Sequence, residues 1–79
     1  MNIQEAITNG VSKLKNKNIS TAHLDSEILM AKTINKDRKY IILNNKEILK
    51  KENLKYFNEL IKKRSFGKPI SYLINKKYF

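Results

Sequence analysis

Apolar residues in the first part of the chain recur at intervals of three and four, which is typical of one face of an α-helix. That face consists of Ile3, Ala6, Ile7, Val11 and Leu14. Asn2 can cap the amino end, and Glu5 can return a hydrogen bond to the Asn2 amide as in a capping box. Gly10 costs about 1 kcal/mol relative to alanine inside a helix. The pattern therefore predicts either a helix that depends on its packing partner or a close approach to the backbone at Gly10, with the helix ending between Asn16 and Asn18.

Two further helices are predicted in the middle of the chain. Ser20 and Thr21 are hydroxyl caps for the first of them, and Asn35 is a left-handed stop. Asp37 can cap a short helix that Asn44–Asn45 closes. The inward-facing residues of the longer helix are expected to be Leu24, Ile28, Leu29 and Ala31, and the short helix carries Tyr40, Ile41, Ile42 and Leu43. A strand over those four residues is the alternative, but it would have no partner strand and would leave unpaired edges.

The last third of the chain again shows helical spacing. A helix from Lys51 to Arg64 is expected to bury Leu54, Phe57, Leu60 and Ile61. It should end before Gly67, which can adopt the left-handed conformation, and Pro69 suits the first turn of a short helix that bears Ile70, Leu73 and Ile74. Residues 75–79 are expected to be extended. The predicted fold is all-α, a small orthogonal bundle of about five helices with an extended tail.

Length and composition limit the chain to one small domain. A chain of 79 residues with 41% apolar residues buries a modest core. Its longest apolar runs, at 40–43 and 72–74, are far shorter than the roughly 20 residues of a membrane span. The absence of cysteine excludes a disulfide scaffold, a thiolate zinc site and a cysteine nucleophile. Since no apolar run is long enough for a membrane span, the chain is expected to be soluble, and because its first residues lack a secretory signal it is expected to be cytoplasmic. We also expect a monomer that does not bind membranes.

No motif for catalysis is present in the sequence. The two glycines are 57 positions apart, so they cannot form a glycine-rich phosphate loop. His23 has no partner for metal binding or general-base chemistry and is interpreted as a surface or capping residue. Asp25 and Glu27 point to different faces of a helix and are interpreted as complementing its dipole. We therefore predict no catalytic, cofactor-binding or metal-binding residue in this chain.

The positive charge is concentrated in the second half. Residues 1–37 hold 5 basic and 4 acidic groups, or +1, whereas residues 38–79 hold 12 and 3, or +9. Such a field suits either RNA or an acidic protein partner. The abundance of lysine, asparagine and isoleucine is also typical of an AT-rich genome, so a solvated lysine-rich surface is the plain alternative. No helix-turn-helix, zinc-finger or RNA-recognition motif supports nucleic-acid binding.

The carboxyl end carries the most specific pattern in the chain, Gly67-x-Pro69-Ile70-x-Tyr72-Leu73, preceded by Lys63-Arg64 and followed by Phe79. It resembles the end of the N-terminal helical domain of the peptide chain release factor glutamine methyltransferases, the PrmC or HemK family. The segment 24–29 is similar to the Leu-Asp-Ala-Glu-Leu-Leu of that family, and the Asp37-Arg38 step to its short third helix. The residues that carry the resemblance are Asp25, Gly67, Pro69, Tyr72 and Phe79. Three residues depart from the family pattern, namely Lys68, Asn75 and Tyr78.

The resemblance implies a helical domain, residues 1–74, that binds and orients a class-1 release factor. Residues 75–79 would begin a connector hairpin to an absent catalytic domain, which binds S-adenosylmethionine and methylates the glutamine of the Gly-Gly-Gln loop. The chain would then be a non-catalytic part of a longer enzyme, which in some AT-rich bacteria is fused to a tRNA guanine methyltransferase. Its partners would be the release factor and its own catalytic domain.

Six basic residues of the positively charged second half are the predicted partner-binding residues. They are Arg38, Lys39, Lys62, Lys63, Arg64 and Lys68. Two other functions stay open: a basic helical module that binds RNA, and a helical protein-interaction bundle. For the last, any exposed member of the set Ile41, Ile42, Leu49 and Phe66 would be the indication.

Overall fold

The computed structural model describes residues 1–75, which form five α-helices. They are α1 (Ile3–Asn16), α2 (Ala22–Ile34), α3 (Arg38–Leu43), α4 (Lys51–Ser65) and α5 (Ile70–Asn75). Within this part of the chain the only β-type pairing is an isolated bridge between Asn2 and Ile48. No helix among the described residues is long and apolar enough to cross a membrane. The all-α prediction is confirmed, and the strand alternative at 40–43 is wrong.

The helix ends follow local signals in the sequence. At the start of α1 the Asn2 side chain accepts a hydrogen bond from the Glu5 amide at 2.8 Å, and the Glu5 carboxylate accepts one from the Asn2 amide at 2.9 Å. Asp37 accepts a 2.8 Å hydrogen bond from the amide of Tyr40 and so caps α3. Asn35 closes α2 in the left-handed conformation, with φ 58°. The predicted caps at these positions are confirmed.

Gly67 follows α4 with φ 100°, a backbone conformation that glycine adopts at little cost. Pro69 then directly precedes α5, and its carbonyl accepts a hydrogen bond from the Leu73 amide at 3.2 Å. Asn75, which the sequence pattern placed in the extended tail, is the last residue of α5. Residues 76–79, including Phe79 and the rest of the predicted connector, lie outside the described residues.

Helix α2 is the centre of the fold, since it packs against each of the other four helices. The core draws on all five helices and the α3–α4 loop. Its buried apolar residues are Ile3, Ala6, Ile7, Leu14, Ala22, Leu29, Met30, Ile41, Leu49, Phe57, Leu60, Ile61 and Leu73. The inward faces predicted for α1 and α4 agree with this set, with Val11 and Leu54 only partly buried.

Gly10 lies where α1 crosses α4. A Cβ atom at this position would lie 2.9 Å from the Cδ1 of Ile61 and 3.1 Å from the Cζ of Phe57. Because these distances are shorter than ordinary van der Waals contact, glycine allows the Ile61 and Phe57 side chains of α4 to lie close to the α1 backbone. The close approach is one of the two alternatives that the sequence left open, and the distances at Gly10 support it.

The inward face of α2 differs from the prediction. Leu24 is 41% exposed, whereas the polar residues Asp25, Ser26, Lys32 and Thr33 are buried. Thr21 precedes α2 without making a capping hydrogen bond, and its hydroxyl instead donates to the Asp25 carboxylate at 2.8 Å. The prediction for Leu24 is wrong. Because four other helices pack around α2, the position of each residue relative to those helices decides its burial, and its polarity does not.

The loop before α4 secures the start of α1. The amide of Ile3 donates to the carbonyl of Glu47 at 3.0 Å, and the amide of Gln4 donates to the carbonyl of Asn45 at 2.9 Å. The first amides of a helix have no partner within the helix, so these bonds satisfy them. The amino end of α1 is therefore held by chain that lies more than 40 residues away.

Candidate functional site

A groove with a volume of about 760 Å³ runs between α1 and α4 on the surface of the domain. Five lysines line it: Lys13, Lys17, Lys51, Lys55 and Lys62. Among the described lining residues Glu59 is the one acid. Because five positive charges face one negative charge, the groove attracts anionic groups.

The lining of the groove is partly apolar, and its two apolar members, Leu54 and Phe66, are called its floor. Leu54 is half-buried, and Phe66 is 69% exposed at the carboxyl end of α4. The ammonium group of Lys17 lies 5.9 Å from the centroid of the Phe66 ring, within the range of a cation–π interaction. Asn16, Asn58 and Ser65 complete the lining. The surface thus combines cationic walls with exposed apolar and aromatic area.

Helical spacing brings these lysines together. Lys51, Lys55 and Lys62 are four and seven positions apart, so they share one face of α4. Lys13 and Lys17 are one turn apart at the carboxyl end of α1. The positive surface predicted from the sequence, residues 38–79, did not include these two lysines. Their four-residue spacing was the available signal, but the crossing of α1 over α4 was needed to pair them with α4.

Two of the six predicted partner-binding residues lie on α3, away from this groove. The guanidinium of Arg38 forms an ion pair with Glu27 of α2, with 2.8 Å between Nη2 and Oε1. The Arg38 side chain is 50% exposed. Lys39 is exposed beside it. Both residues were predicted to bind the partner along with cations of α4, but α3 packs on α2, and neither residue lines the groove.

Arg64 lies within the fold. Its Nε donates to the Asp25 carboxylate at 2.9 Å, and its Nη1 donates to the carbonyl of Lys68 at 3.2 Å. The Asp25 side chain is 6% exposed and that of Arg64 is 21% exposed. Asp25 also accepts the hydrogen bond from Thr21, so its carboxylate connects α2 to α4. The interpretation of Asp25 as a dipole-complementing residue is therefore incomplete, since its main partners are another side chain in the preceding turn and an arginine on another helix.

The other three predicted residues are lysines at the carboxyl end of α4 and in the loop after it. Lys62 lines the groove, whereas Lys63 does not. The ammonium group of Lys68 lies 5.2 Å from the centroid of the Tyr72 ring. All three are exposed. Binding of a partner by the six predicted residues stays a prediction.

A second exposed surface lies around α3 and the following loop. Ile42, Leu43 and Ile48 are 60%, 71% and 70% exposed, whereas Ile41 and Leu49 are buried. An exposed member of the set Ile41, Ile42, Leu49 and Phe66 was the predicted indication of an interaction bundle, and Ile42 and Phe66 are exposed. Next to this surface the Tyr40 hydroxyl donates to the Glu47 carboxylate, and this hydrogen bond raises the pKa of Tyr40 above its ordinary value.

The described residues include no group of three or more histidine, cysteine, aspartate or glutamate side chains that could hold a metal ion. His23 is 70% exposed, with its Nδ1 3.7 Å from the Glu27 carboxylate, as expected for a surface residue. The chemistry that the described surface offers is the binding of an anionic and partly apolar ligand.

Comparison with known proteins gives the family. Residues 5–74 match the family described as PrmC N-terminal domain. The whole chain is 34% identical over 79 residues to the release factor glutamine methyltransferase of Buchnera aphidicola subsp. Acyrthosiphon pisum, of which it covers 28%. The corresponding enzyme of Buchnera aphidicola subsp. Baizongia pistaciae is 43% identical over 67 residues, which are 85% of this chain and 24% of that protein.

Another bacterium gives a similar match. The release factor glutamine methyltransferase of Leptospira interrogans is 36% identical over 66 residues, which are 84% of this chain and 23% of that protein. No solved structure is significantly similar. The chain thus spans about a quarter of the length of these relatives. On this basis, and with the all-α fold described above, the chain belongs to the PrmC N-terminal domain family, as an N-terminal domain of the release factor glutamine methyltransferases.

Proposed function

We propose that this domain binds a class-1 peptide chain release factor and orients it for methylation by a separate catalytic domain of the same protein. The observation that carries the proposal is the match over the whole chain to proteins named release factor glutamine methyltransferase, of which it covers about a quarter. In this proposal the reaction itself, transfer of a methyl group to a glutamine side chain, belongs to the remaining part of such a protein.

The division of labour follows from the chemistry. A glutamine amide nitrogen is a weak nucleophile, so methyl transfer needs a site that removes water and aligns the nitrogen with the methyl donor. The described surface of this domain is an open groove that offers charge and apolar contact. Such a surface supports recognition of a protein, while S-adenosylmethionine would bind to the catalytic domain. The domain would act as a monomer in the cytoplasm, where release factors work.

The test is a binding measurement on the 79-residue chain by isothermal titration calorimetry. It is titrated with a class-1 release factor and, separately, with a tRNA and a ribosomal RNA fragment, each at two salt concentrations. We expect binding to the release factor that weakens as salt screens the lysines. Binding to RNA alone would contradict the proposal and favour the RNA-binding module.

A methyl-transfer assay addresses the non-catalytic part of the proposal. The chain, a release factor and S-adenosylmethionine are incubated together, and incorporation of the methyl group into the release factor is followed by mass spectrometry. No turnover above background is expected. Methylation by the 79-residue chain would show that chemistry resides here and would overturn this part of the proposal.

A further inference from the structure

We infer that the groove between α1 and α4 is the surface that receives the release factor, and that its occupant is an acidic amphipathic segment of that protein. Apolar side chains of the segment would cover the floor, and its carboxylates would face the lysines of the two walls. This inference rests on the proposed function and specifies the surface and the chemistry of the ligand.

The charge of the groove is the first argument. Its lysines come from both helices, so an acidic segment lying between α1 and α4 meets positive charge on either side. Glu59 is the one acidic lining residue among those described. Complementary charge of this kind raises the rate of encounter and fixes the orientation of the partner.

The apolar floor is the second argument. Phe66 is 69% exposed in the domain, and Leu54 is half-buried beside the same groove. Removing such apolar area from water favours association, and large aromatic residues at the centre of an interface contribute most to affinity. Lysines around an apolar floor match a ligand that has apolar residues flanked by acids.

The composition of the groove favours a protein ligand over RNA. Single-stranded nucleic acid is held by stacking of successive bases on aromatic rings and by arginine. Among the described lining residues Phe66 is the one aromatic side chain, Lys17 lies against its ring, and arginine is absent. Both arginines of the chain are instead paired with carboxylates of α2.

The test compares two triple variants of equal charge. The groove variant carries Lys17→Gln, Lys55→Gln and Lys62→Gln, and the control carries three exposed lysines outside the groove changed to glutamine. The control positions are Lys15, Lys36 and Lys46. Each variant lowers the net charge from +10 to +7, that is 10 minus 3. Circular dichroism and thermal unfolding verify that both fold.

Affinity for a class-1 release factor is measured at about 0.1 M salt, where charges more than about 10 Å apart are largely screened. We expect the groove variant to bind about tenfold more weakly and the control about twofold more weakly.

Phe66→Ala probes the apolar floor separately. It should weaken binding about fivefold, and this loss should persist at high salt because apolar contact is not screened.

The outcomes separate this inference from the proposed function. If the unchanged chain binds the release factor and neither triple variant weakens this binding, the groove is not the binding surface, although the proposed function holds. If both triple variants weaken binding equally, the net charge of the domain determines binding, and the inference about the groove fails. If the unchanged chain does not bind the release factor, the proposed function fails and the inference fails with it. Loss of RNA binding in the groove variant, without release-factor binding, would assign the groove to RNA.

Discussion

The contact between α1 and α4 in the core differs from the groove between the same two helices in packing, charge and exposure. On the inner side a Cβ atom at Gly10 would lie 2.9 Å from the Cδ1 of Ile61 and 3.1 Å from the Cζ of Phe57, so these side chains would have to shift to admit it. On the outer side the same two helices leave an open groove of about 760 Å³ lined by lysines. One helix pair therefore carries a tightly packed core contact and an unfilled cationic surface.

This difference indicates that stability and docking depend on different residues of the same two helices. The inner side is closely packed, so that added volume there displaces neighbouring side chains. The outer side is exposed, and isolated surface charges contribute little to the stability of a fold. Substitutions on the inner side should therefore change the free energy of unfolding, and substitutions on the outer side should change binding.

The largest expected effect is that of Gly10→Val on the inner side. The added side chain would overlap Ile61 and Phe57, so we expect a loss of about 2 to 3 kcal/mol in the free energy of unfolding, measured by denaturant titration. Ser12→Val, at an exposed position of the same helix, is the matched control and should change the free energy of unfolding by less than about 0.5 kcal/mol, since serine and valine have similar helix propensities. Equal losses in the two variants would contradict the close approach of α4 at Gly10.

The next effect separates two arginines that the sequence analysis treated alike. Arg64→Ala leaves the buried Asp25 carboxylate without its ion-pair partner, and we expect a loss of about 2 kcal/mol, since part of the Arg64 side chain still reaches water. Arg38→Ala breaks a more exposed pair with Glu27 and should cost less than about 1 kcal/mol. Thermal unfolding of both variants gives the comparison. A larger loss for Arg38→Ala would reverse the assignment of Arg64 to the fold.

A smaller effect on stability, but a distinct one on binding, is expected for two neighbouring lysines of α4. Lys62 lines the groove and Lys63 does not. Lys62→Glu should weaken binding to a class-1 release factor about fivefold, and Lys63→Glu less than twofold. Both substitutions place an acid in the last turn of α4, so they carry a similar helix-dipole cost of about 0.5 kcal/mol. Equal losses of affinity would show that the groove does not select between the two positions.

The last effect is a small gain in stability and concerns Ser26, a buried residue of the central helix. Its hydroxyl is fully buried and has no hydrogen-bond partner among the described residues. Removing an unsatisfied polar atom lowers the desolvation cost, so Ser26→Ala should raise the free energy of unfolding by about 0.5 to 1 kcal/mol. Denaturant titration measures this change. Destabilisation instead would mean that the hydroxyl has a partner in solution.

Local features of the fold could be predicted from the sequence because their causes are local. The capping box of Asn2 and Glu5, the cap at Asp37 and the left-handed residues Asn35 and Gly67 each depend on neighbours within a few positions. The apolar faces of α1 and α4 also followed from helical spacing, because each of these helices buries one side.

The rest could not be predicted because it depends on residues far apart in the sequence. Asp25 is buried since Arg64, 39 positions later, reaches it. Lys32 is buried, and its ammonium group donates a hydrogen bond to the carbonyl of Ile74, 42 positions away. For the groove, the chain half with a net charge of +1 supplies two of the five lysines. The spacing of residues within one helix cannot show which residues of different helices lie together in the fold.

The most direct test of the central claim is a map of the amide chemical-shift changes of the isotope-labelled chain on titration with a class-1 release factor. The account predicts changes concentrated at the groove-lining positions of α1 and α4, including Lys17, Asn58 and Phe66. Changes concentrated instead on α3 around Ile42 and Leu43, or no changes at saturating release factor, would contradict it.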